Sequence, residues 1–156
     1  MRSSTQSACW AHVGGRLYAG LVHTADYFDT FIAVAEDCPV DAAEVPVAKA
    51  APTIASLHFD LIAAAPYALT SDEVIFETFA IRSAIADDER PAARERFFSK
   101  GQPCLRSSPL GKRYGWGTHH DGEGRVALVA VGTPEYERLA NDASLTQTRA
   151  VRSRRA

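Results

Sequence analysis

Between Phe97 and His120 the chain has no aspartate and no glutamate. Elsewhere, too, it is informative in what it lacks. Cysteine is sparse and odd in number (Cys9, Cys38, Cys104) and has no framework spacing. That excludes a disulfide scaffold and points to a reducing compartment, the cytoplasm. No run of about 18 apolar residues occurs, which excludes a membrane-spanning helix. There is no GxxxxGK[ST] phosphate loop, GxGxxG turn, GxSxG elbow, CxxC pair or HExxH helix, so no motif names a nucleotide, hydrolase or metal chemistry. Only three of the 17 basic residues are lysine (Lys49, Lys100, Lys112). With the abundant alanine, that skew reads as codon usage in a GC-rich bacterial genome and says nothing about function.

What remains is an ordinary globular composition. With 156 residues, 46% apolar and 23% charged, the chain is long enough to bury a core without staples. Its net charge of −2 conceals a division. His23 to Glu95 holds 14 acids and 4 bases, whereas Arg96 to Ala156 holds 11 bases and 5 acids. Such segregation marks either an anion-binding face or two halves that neutralise each other on folding.

Residues 1–22 show neither helical nor strand periodicity and lack the apolar core of a signal peptide. They read as a disordered or mis-called extension, with Val22 as the natural start, and residues 23–156 as a single domain. Within it, Asp26 to Asp37 reads as a strand ending at Cys38-Pro39. Asp41 to Pro52 reads as a loop. Thr53 to Ala65 places Ile54, Leu57, His58, Leu61 and Ile62 on one face of a helix. Thr70 and Glu73 form a capping box for a second helix to about Ala86, apolar on more than one face and therefore central. A third, with Pro91 in its first turn, ends near Lys100-Gly101. Lys112 to His120 and Arg125 to Val131 form a hairpin about Asp121–Gly124. Thr133-Pro134 opens a short helix, and Leu145 to Ser153 is a last strand. The order β-α-α-α-β-β-α-β predicts an α+β fold, a small and largely antiparallel sheet with helices packed on one face.

The chemistry concentrates in residues 101–120. On a strand, Tyr114 and Trp116 share a face, suited to stacking a base or another flat ligand, with Arg106, Lys112 and Arg113 meeting its phosphate. The alternative is that both rings pack inward and the glycines permit close approach. Arg149, Arg152, Arg154 and Arg155 would extend the same basic surface. Cys104, flanked in sequence by Lys100 and Arg106, is a candidate nucleophile with His119 as its base, against its more ordinary use as a small buried apolar residue. His119 and His120 are adjacent on a strand, point to opposite faces, and do not share a metal ion. No metal site or other cofactor is expected.

Three segments carry a family resemblance: HTADYFDTFIAVAEDCP (23–39), FFSKGQPCLRSSPLGKRYGWGTHHDGEGRVAL (97–128) and VRSRRA (151–156). They resemble a family of short bacterial proteins catalogued as domain of unknown function 6157. The likeness runs from His23 to the C-terminus and implies the domain limits, while supplying no activity, cofactor or catalytic residue. The leading expectation is therefore a binding module for an anionic ligand, either nucleic acid or a phosphate-bearing small molecule. The rivals are a small enzyme built on Cys104 and His119, and an interaction module whose basic segment docks on acids such as Asp87 or Asp88. No membrane partner is expected, and nothing in the sequence fixes an oligomeric state.

Overall fold

The computed structural model describes residues 11–13, 16–18 and 23–154. Strands β1 (Ala11–Val13) and β2 (Arg16–Tyr18) pair antiparallel with each other. The rest of the N-terminal stretch, including the expected start at Val22, lies outside the described residues, as does Arg155.

The main sheet is built around β3 (Thr30–Ala33), all four residues of which are buried. A strand buried on both faces has to be covered on both. β3 pairs antiparallel with β4 (Trp116–His120), which pairs antiparallel with β5 (Val126–Ala130). On its other edge β3 pairs parallel with β6 (Thr146–Arg149), giving the order β5-β4-β3-β6. The class is α+β and the sheet mostly antiparallel, in keeping with the expected order.

Local sequence explains the helices. Thr53 and Ser56 cap α1 (Ile54–Ala64) reciprocally. The expected box opens α2 (Ser71–Arg82): the Thr70 amide donates to Glu73 Oε2 at 2.8 Å and the Glu73 amide to Thr70 Oγ1 at 3.3 Å. α2 stops four residues short of the expected end. Ala84 turns left-handed (φ 51°), and the amides of Ala84 and Ile85 return to the carbonyls of Ile81 and Ala80, the Schellman closure. α3 (Arg90–Phe98) carries Pro91 in its first turn, and Thr133 caps α5 (Pro134–Ala140).

Where α1, α2 and α3 meet β5, the chain buries Ile62, Val74, Phe76, Ala80, Phe98 and Val126 in one core. Phe31, Val34, Val129, Tyr136 and Leu139 form a second core under α5. The expectation of helices on one face is thus corrected. β-strand alternation places Val126 and Val129 on opposite sides, and α5 covers the side that α1 and α2 leave open. Two further expectations change. α2 is not buried all round, since Phe79 and Ile81 are 38% and 40% exposed. The first arm of the hairpin is shorter than Lys112 to His120, because Ser108 caps a one-turn helix, α4 (Pro109–Arg113), and Gly115 at φ +79° redirects the chain into β4.

Candidate functional site

The segment Gly101–Arg113 has a local reason for its path. Leu105 and Leu110 are buried (3% and 1% exposed) and pin it to the body. Between them Leu105–Ser107 makes one 3-10 turn, and Ser108 reverses the chain. Ser108 Oγ lies 2.9 Å from His58 Nδ1, and burial pushes the His58 pKa down to about 4, so this anchor is neutral. Pinned on both sides, Arg106 is carried to the end of β6 and the segment that follows it. Its Nε donates to the Arg149 carbonyl at 2.7 Å, and its own carbonyl accepts from the Val151 amide at 2.8 Å.

The result is an open groove of about 470 Å³ whose charged lining is Arg106, Arg149, Arg152, Arg154 and a single acid, Glu36. Glu36 pairs with Arg152. Its neighbour Asp37 accepts from the amides of Ser153 and Arg154. The Arg154 amide foremost, then the Ser153 amide and the charge of Arg152, holds the Asp37 carboxyl below its usual range. The acidic half therefore meets the basic half at the end of β3, and the charged residues lining the groove are still four arginines to one acid.

Beside the groove, Tyr27 Oη lies 3.0 Å from Cys104 Sγ. Burial first, and the thiol second, raise the Tyr27 pKa, and the nearby Arg106 charge offsets part of the rise. Behind Tyr27, with ring centroids 5.4 Å apart, is His120, which has no exposed surface. Its Nε2 is 3.1 Å from Thr118 Oγ1 and its Nδ1 3.4 Å from Ser71 Oγ. Burial lowers its pKa to about 3, helped by the adjacent His119, so a neutral imidazole fills the space.

The expected stacking pair does not form. Trp116 turns inward: its indole N–H donates to the Glu44 carbonyl at 2.8 Å, and its ring packs 5.4 Å from Phe59. Tyr114 ends α4 instead of sharing a strand face, and its carbonyl accepts from the Glu44 amide at 2.8 Å. The loop Asp41 to Pro52 lies across both residues. Lys112 and Arg113 occupy the last turn of α4, away from the groove lining. Neither makes an ion pair among the described residues, and Asp87 pairs with Arg90 instead. The pairing of Cys104 with His119 is likewise not made. Cys104 meets Tyr27, whereas His119 points to the opposite face from His120 and bonds Tyr67 Oη through Nδ1 at 2.8 Å.

Of the predicted ligand residues, only Arg106 reaches the groove, joined by Arg149, Arg152 and Arg154 from the C-terminal basic run. Tyr27, Glu36 and His120 join the site from sequence distances that no local pattern reveals. Among the described residues no three His, Cys, Asp or Glu side chains are grouped to hold a metal ion, and no helix is long and apolar enough to cross a membrane.

Comparison with known proteins agrees with the resemblance in the sequence. The chain matches the Family of unknown function (DUF6157) over residues 22–156, nearly its whole length, and belongs to that family. No curated protein and no solved structure matches it.

Proposed function

We propose that this member of the family is an anion-binding module whose ligand carries phosphate groups and occupies the groove of Arg106, Arg149, Arg152 and Arg154. One observation carries the reading: four arginines from two distant segments line about 470 Å³ of open space, with Glu36 the one acid among the lining residues. A guanidinium presents a planar fork of donors matched to phosphate oxygens. Its desolvation is least costly where an anion replaces water, which is the use such a cluster serves.

A compact phosphorylated small molecule fits better than a nucleic acid strand. Binding of single strands without sequence preference relies on aromatic platforms as well as charge, and neither candidate ring, Tyr114 or Trp116, is among the residues that line the groove. Isothermal titration with pyrophosphate, a nucleoside triphosphate and a single-stranded oligonucleotide tests this. Pyrophosphate should bind saturably. Arg106→Ala and Arg149→Ala should each weaken it roughly tenfold, as loss of a charge-assisted contact does. Arg106→Lys should recover only part of that affinity, because a point charge does not replace the fork. An absence of saturable binding to any of the three anions disproves the proposal. Tightest binding to the oligonucleotide, with a steep salt slope, would transfer the groove to nucleic acid.

A further inference from the structure

α2 and α3 leave a second cavity, remote in character from the arginine groove. Phe79 on α2 and Ala93 and Phe97 on α3 wall it together with Ile85, and Arg96 and Gln102 are its polar lining. The helical period makes this face: Ala93, Arg96 and Phe97 stand at i, i+3 and i+4 on α3. The Phe79 and Phe97 rings are stacked, with centroids 4.8 Å apart and planes 30° apart, and Phe97 meets the edges of Phe76 and Phe98. Arg94 lies over the Phe76 and Phe98 rings at 5.7 and 5.2 Å, which fixes the far side of the aromatic cluster. The cavity measures about 310 Å³, at the lower end of the roughly 300–1,000 Å³ usual for small-molecule sites. Its makeup, an apolar floor with few polar groups, is also that of such sites.

Two features select the occupant. Phe79 is 38% exposed on α2, so an aromatic face meets solvent at the mouth of an apolar hollow. Arg96 makes no ion pair among the described residues, although two acid–base pairs, Arg90 with Glu77 and with Asp87, are made by the same helix. The Gln102 amide nitrogen is committed to the Phe97 carbonyl at 2.7 Å, which leaves its oxygen as an acceptor and Arg96 as the charged donor at the rim.

We infer that this cavity is a binding site for a small organic carboxylate with a flat apolar body, the body lying against Phe79 and Phe97 and the carboxylate meeting Arg96. The site is independent of the arginine groove: a ligand rich in phosphate would find one guanidinium in it, and an aryl carboxylate would find no aromatic side chain lining the other.

Nitrogen–proton correlation spectra of the full chain, titrated with naphthoate and with the uncharged naphthalenemethanol, test the assignment. Naphthoate should bind saturably and shift the amides of Phe79, Ile85, Ala93, Phe97 and Gln102. Arg96→Ala, at an exposed side chain, should weaken naphthoate roughly tenfold, as loss of a charge-assisted contact does, and leave the alcohol within about twofold. Arg106→Ala should leave naphthoate affinity unchanged. The inference is overturned by an absence of saturable binding, by shifts that gather on Arg106 and Arg149, or by an Arg96→Ala variant that treats acid and alcohol alike.

Discussion

The two faces of β4 show how little adjacency in sequence says about shared chemistry. Trp116, Thr118 and His120 turn toward the helices, where each polar atom is matched: the indole to the Glu44 carbonyl, the threonine and histidine to each other. Gly117 and His119 turn toward α5. There the glycine is required by shape, since a Cβ at 117 would stand 2.9 Å from Tyr136 Cε2 and 3.1 Å from Phe31 Cζ and the Ile32 carbonyl. One face is held by satisfied polar groups, the other by the absence of a side chain.

Acid should break the helix-side face most severely. Burial pushes the pKa values of His120 and His58 down to about 3 and about 4, below the roughly 6.5 of a free imidazole. The unfolded chain therefore takes up more protons, and stability falls as pH drops below about 6.5 toward these values. At pH 5 the loss is on the order of 2 kcal/mol for each histidine. Urea titrations across this range check it, and a His120→Phe variant that keeps the full acid dependence sinks the attribution to that residue. On the α5 side, Gly117→Ala should cost about 1–3 kcal/mol by overpacking against Tyr136, read from the same titrations. Trp116→Phe keeps an aromatic ring against Phe59 and removes the indole bond to the Glu44 carbonyl, a loss of about 1 kcal/mol. The smallest effect belongs to His119→Ala. Its bond to Tyr67 lies at the surface, and its removal should change stability by no more than about 0.5 kcal/mol. If His119→Ala proves as damaging as His120→Ala, the contrast between the faces is wrong.

The sequence made legible what is decided within a few residues. Thr70 and Glu73 announced α2 because a capping box is a local contract between side chain and backbone. The alternation of His119 and His120 separated them because strand geometry leaves no choice. Alternation does not say which face will be covered, so it grouped Trp116 with a ligand surface that the Asp41 to Pro52 loop in fact overlies. No local signal marks α4, since Gly111 weakens a helix on its own. Its reason is tertiary: a Cβ there would come 2.9 Å from the Ala150 Cβ. The anion groove was visible only as a surplus of charge. Arg106 meets Arg149 across 43 residues and Glu36 meets Arg152 across 116, and no window along the chain contains both partners.

The parallel pairing of β6 with β3 has a consequence for when the protein can work. β3 is the first strand of the main sheet to leave the ribosome and β6 the last, so the groove is made from the oldest and newest parts of the domain. Every contact that shapes it spans a large loop, and such contacts are slow to close. A nascent chain can already have its helices and its β4–β5 hairpin while remaining unable to gather four arginines. Under the proposed function, ligand capture would then have to wait for the last strand of this sheet.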